Sequence, residues 1–118
     1  MKRDDSVFLR HILDAVDAVE RFTPGATHSE FLRNEMMHQA VVRELEIIGE
    51  AAARVSPDFR REYPDIAWGQ IIGMRNRLVH AYFEVDLNIV WEIVNFDLPP
   101  LKEHAKRILG ELGNANQD

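Results

Sequence analysis

The sequence predicts an all-α protein, an antiparallel bundle of four to five helices. Three observations carry this. Apolar residues recur at steps of three and four along most of the chain, and no run alternates with the period of a strand. Breaker clusters (Thr23-Pro24-Gly25, Ser56-Pro57-Asp58 and Pro64) cut the pattern into helix-sized lengths.

Taken in order, Ser6 can cap a first helix from about Val7 to Phe22, with Phe8, Ile12, Ala15 and Val19 on one face. Ser29 can cap a long second helix to about Val55, whose stripe reads Met37, Val41, Leu45, Ile48, Ala52, Val55. Phe59 to Tyr63 forms a short turn. A third helix is expected from near Ala67 to about Tyr82. Asp86 can cap a fourth, carrying Leu87, Val90, Trp91 and Val94. Pro99-Pro100 then interrupts that helix or begins a new one over Leu101 to Leu112. The chain is thus read as one helical domain over residues 1–112, with a flexible tail over 113–118. The second helix also carries apolar residues off its stripe: Phe31, Leu32, Met36, Val42 and Ile47. Either a second copy of the chain or close cover by its own neighbours accounts for them.

At 118 residues, with 46% hydrophobic and 29% charged residues, this is the composition of a soluble globular protein. The absence of cysteine excludes disulfides, thiolate chemistry and cysteine-based zinc sites. No stretch approaches the roughly 20 apolar residues of a membrane span, and Met-Lys-Arg-Asp-Asp is no signal core. No membrane association and a cytoplasmic location are expected. His11, His28 and His104 are scattered without ligand spacing, so no metal and no cofactor are expected. A net charge of −6 argues against nucleic-acid binding over the whole surface. A local site remains open, because residues 51–80 hold five arginines against three carboxylates.

The chemistry-bearing stretch is Arg75-Asn76-Arg77-Leu78-Val79-His80-Ala81-Tyr82. A histidine trades a proton near neutral pH, and an arginine grips phosphate oxygens. Together they suit metal-free RNA cleavage, in which a 2′-hydroxyl attacks the adjacent phosphorus. On a regular helix Asn76 and His80 share a face, while Arg75 lies about 140° and Tyr82 about 200° around the axis from His80. One helix does not close such a site, whereas a groove between two copies does. On spacing alone, however, an Arg and a His five apart read as surface or capping residues, and Tyr82 as a half-buried helix end. Arg77, beside the motif, is a candidate substrate contact. Glu46 and Glu50 either act beside the site or, as the favoured reading, form a solvated stripe with Arg43 and Arg54; Trp68 and Trp91 read as core or interface.

The wider context adds a family. Leu45-Glu46-Ile47-Ile48-Gly49-Glu50-Ala51-Ala52, then Trp68-Gly69-Gln70-Ile71-Ile72-Gly73-Met74 leading into the motif, then Val90-Trp91 and Leu98-Pro99, resemble the HepT family. These are small all-helical toxins of the HEPN superfamily. The motif R-x-x-x-x-H-x-Y, with Asn after the Arg, is matched at Arg75, Asn76, His80 and Tyr82. The resemblance implies a HEPN-like bundle acting as a homodimer, and a metal-independent endoribonuclease with its site at the dimer seam. Arg75 and His80 would be the catalytic pair, supported by Asn76. It further implies a partner, a minimal nucleotidyltransferase antitoxin, that transfers AMP from ATP onto Tyr82 and so switches the enzyme off. The alternative is a non-catalytic helical module on the same scaffold that binds nucleotide or protein.

Overall fold

Two long helices, α1 (Ser6–Phe22) and α3 (Glu35–Arg54), pack side by side and organise the rest of an all-α bundle. The computed structural model describes residues 4–81 and 84–116, with the side chains of all of these except 80, 81 and 114–116. Of the predicted stripes, Ile12, Ala15 and Val19 of α1 and Val41, Leu45, Ile48, Ala52 and Val55 at α3 are buried, whereas Phe8 and Met37 are only partly so. In α1 the unpredicted Leu9 and Val16 share the core face. Ser6 lies inside the first turn of α1 rather than capping it. Its N–H and hydroxyl both donate to Asp4 Oδ1, at 3.1 and 2.5 Å. The adjacent Asp5 is buried and accepts from the Ser56 N–H at 3.0 Å and the Ser56 hydroxyl at 2.7 Å. Ser56 in turn caps α4 (Pro57–Glu62), accepting the Phe59 N–H.

The expected second helix is two. The first, α2 (His28–Arg33), starts from a capping box at Thr27, not Ser29: Thr27 Oγ1 accepts the Glu30 N–H, and Glu30 Oε1 accepts the Thr27 N–H. Asn34 then turns extended, at φ −99° and ψ 94°, and its Oδ1 accepts the Met37 N–H to start α3. The residues off the stripe are covered unequally. Phe31 is fully buried, Val42 and Ile47 pack on the core, Leu32 is exposed and Met36 is 86% exposed.

The third helix is also corrected. It divides at Gly73 into α5 (Trp68–Ile72) and α6 (Met74–Leu78), and it ends before the motif does. From Val79 the backbone is extended, and β1 (Val79–Ala81) pairs antiparallel with β2 (Glu84–Val85), Val79 opposite Val85 and Ala81 opposite Glu84. Val79 is β-branched and gives up less in a strand than in a helix. Asp86 caps α7 (Leu87–Glu92) as expected, accepting the Asn88 and Ile89 N–H groups at 3.0 and 3.2 Å.

Beyond α7 the chain does not break at the prolines. A π-helical turn, Ile93–Asp97, runs directly into α8 (Leu98–Asn116), and the Leu98 N–H bonds the Ile93 carbonyl five residues back. Pro99 and Pro100 supply no N–H, and in a regular helix their rings would press on the carbonyls of Asn95 and Phe96; widening the turn relieves that pressure. Helix α8 runs to Asn116, past the expected end at Leu112. Its buried Leu101, Ala105 and Ile108 lie in the common core, and α8 packs on α1. Among the described residues no helix is long and apolar enough to cross a membrane.

Candidate functional site

Glycine at position 49 sets where the motif sits. A Cβ there would lie 3.3 Å from the Ile71 carbonyl oxygen, so the backbone of α5 rests almost directly on α3. Trp68 anchors the start of α5: it is buried, and its indole N–H donates to the Tyr63 carbonyl at 2.9 Å. In α6, Met74 and Leu78 are four apart and buried, which turns Arg75, Asn76 and Arg77 outward. Two further contacts hold the place where α6 becomes β1. The Asp86 N–H donates to the Leu78 carbonyl at 2.7 Å, and Val79 pairs with Val85.

Arg75 stands exposed at the edge of a hollow of about 200 Å³ that is also lined by Leu45, Glu46, Gly49, Glu50, Ala53 and Ile72. A second hollow, about 430 Å³, is lined by His38, Gln39, Val42, Arg43, Glu46, Val85 and Leu87. Glu46 borders both, so the two adjoin along α3. Arg43 and Glu46 form an exposed pair at 3.7 Å, and Glu46 and Glu50 both line the hollow that Arg75 borders. No hydrogen bond or ion pair holds the Arg75 guanidinium among the described residues. An unengaged arginine beside a hollow can take an oxyanion without first breaking a bond. Asn76 is exposed beside it.

Arg77 differs. Its Nη1 donates to Asp97 Oδ2 at 2.7 Å, across to the π-turn. Asp97 went unnoticed in the sequence because it lies 20 residues from its partner and matches no local pattern. The structure places the His80 backbone in β1, while the His80 side chain and the whole of Tyr82 lie outside the described residues. Because α6 ends at Leu78, the angles of a regular helix do not apply to His80 or Tyr82. The case for a two-copy groove therefore loses that support.

The two tryptophans are structural. Besides the buried Trp68, Trp91 stacks on His28 with centroids 5.4 Å apart and planes 5° apart, and it tilts against Phe31 at 5.3 Å. His28 Nε2 is 2.9 Å from Asn88 Oδ1, so these rings fasten α2 to α7.

Similar known proteins give the chain its setting. The profile described as ribonuclease HepT-like matches residues 12–108. A Methanocaldococcus jannaschii protein named as an inferred RNase is 41% identical over 105 residues, covering 89% of this chain and 96% of that protein. A Thermococcus cleftensis protein named as an inferred ribonuclease HepT is 41% identical over 108 residues, 92% of this chain and 98% of that protein. In fold, the chain is similar to the tri-AMPylated Shewanella oneidensis HEPN toxin solved in complex with MNT antitoxin. The TM-score is 0.66 at 18% identity, over 92% of this chain and 99% of that one. With a profile spanning most of its length and relatives matched nearly end to end, this chain belongs to the ribonuclease HepT-like family.

Proposed function

We infer that this protein is a toxin that cleaves RNA without a metal ion, as a cytoplasmic homodimer. The observation that carries the reading is Arg75: it is exposed beside a hollow, unengaged among the described residues, five residues before His80 in a fully matched motif. Arg75 binds the scissile phosphate and stabilises charge on the phosphorane. His80 moves the protons. One proton leaves the attacking 2′-hydroxyl and another joins the departing 5′-oxygen, so two copies supply one imidazole for each task. Asn76 orients His80 or hydrogen-bonds the phosphate. Met36, 86% exposed on the second long helix, is apolar surface that a second copy can cover.

Regulation follows the same site. A minimal nucleotidyltransferase antitoxin transfers AMP from ATP to the Tyr82 hydroxyl, which loses its proton as pyrophosphate departs. Each AMP adds a phosphodiester charge and bulk at the motif, which would repel RNA and obstruct the groove. The similar Shewanella oneidensis toxin, tri-AMPylated and solved with its MNT antitoxin, supports this reading.

The test is RNA cleavage by unmodified protein in EDTA, beside His80→Ala. Wild type should cut, and loss of the proton-transfer group should slow cleavage by about 100-fold or more. If both proteins leave RNA intact, the chain is a binding module on this scaffold. If cleavage needs added divalent metal, the mechanism is wrong.

A further inference from the structure

Asp97 reaches Arg77 only because of the π-turn. Continued as a regular helix from Val90, Asp97 would lie about 20° from the Val90 direction, on the buried face. Observed burial runs Val90, Ile93, Leu98, Leu101, Ala105, Ile108, with one step of five between Ile93 and Leu98. The wide turn hands the core position to Leu98, 3% exposed, and leaves the Asp97 side chain at the rim, 29% exposed. There it meets Arg77 at 2.7 Å.

Arg77 is the last residue but one of α6, and His80 follows three residues later, after the backbone has turned extended. This junction is gripped on one side by the Asp86–Leu78 backbone bond and the Val79–Val85 pair. On the other side it is gripped by the charge-assisted bond to Asp97. We propose that Asp97, delivered by the π-turn, is a positioning residue for His80. It acts through Arg77, whose guanidinium serves as a strut and not as a substrate contact. The proposal rests on the ribonuclease reading for its kinetic readout alone. A partly exposed ion pair adds little to stability, but a reacting group displaced by an ångström loses much of its rate. The strut therefore acts on turnover.

The experiment measures kcat and KM for Asp97→Asn, Asp97→Glu and the charge swap Arg77→Asp/Asp97→Arg. The His80 ring resonance of each is followed by NMR without RNA. Asp97→Asn should lower kcat by roughly 10- to 100-fold, leave KM unchanged and shift or broaden the His80 signal. Asp97→Glu and the swap should recover both. Wild-type kcat and an unmoved His80 signal in Asp97→Asn would overturn the proposal. So would a swapped protein whose KM rises and whose kcat stays low, because RNA would then need the cation at position 77. If the wild type cuts no RNA, the resonance alone decides. A shift in Asp97→Asn that the swap reverses upholds the strut while the ribonuclease reading falls, and no shift removes the strut.

Discussion

Arg75 and Arg77 are two residues apart on one short helix, yet their surroundings divide the work between them. Among the described residues nothing engages Arg75, which borders a hollow, whereas Arg77 is tied to Asp97. The motif spacing made Arg75 legible, because an outward arginine followed five residues later by histidine has a definable chemistry. It could not tell Arg75 from Arg77, since the difference is made by a carboxylate 20 residues away. Tyr82 carries the prediction that belongs to this scale. Co-expression with a cognate minimal nucleotidyltransferase should add AMP increments to the intact mass, and Tyr82→Phe should remove them while keeping ribonuclease activity. Increments that persist in Tyr82→Phe would place the modification elsewhere, and their absence from the wild type would remove the switch.

Among elements, the contact of α3 with α5 decides where the motif lies, and Gly49 permits it. Gly49→Ala gains about 1 kcal/mol of helix propensity but crowds a backbone carbonyl at 3.3 Å, which costs about 1–3 kcal/mol. The net expectation is a loss of about 0–2 kcal/mol, with α5 and α6 displaced and RNA cleavage lowered more than stability. Gly110→Ala is the control: a Cβ there meets nothing within 4 Å, so stability should rise by up to about 1 kcal/mol with activity intact. Thermal melts and cleavage rates of the two variants check this, and equal behaviour would count against the close contact. The same elements show what sequence reasoning could reach. Burial faces were legible because period alone sets them, as the stripe from Val41 to Val55 shows. The breaks were less so. Asn34 ends one helix and caps the next without a proline or glycine to mark it. Val79 leaves the helix because β2, several residues later, offers it a partner. The π-turn appears as a five-residue step only once Leu98 is known to be buried and Asp97 is not.

At the scale of the molecule, the Cα radius of gyration is 15.0 Å and the extents are 50 × 30 × 20 Å. A compact chain of this length would have a radius near about 13.5 Å, so the bundle is drawn out and shows more of its long helices than a sphere would. With a net charge of −6, the proposed RNA binding would have to be local. A site shared by two copies would gather their arginines into one groove. Sedimentation of the unmodified protein at micromolar concentration should therefore give a dimer, with cleavage falling as dilution separates the copies. A monomer that cuts RNA at full rate would end the shared-site reading. The pairing of α1 with α8 also bears on how the protein is made. Helix α1 packs on α8, so it finds that neighbour only after everything between Phe22 and Leu98 has been made. Residues 75–82 are translated before Leu101, Ala105 and Ile108 can join the common core. A chain that stops before α8 thus carries Arg75 and His80 without a completed core to hold them, and under the proposed function it would cut no RNA.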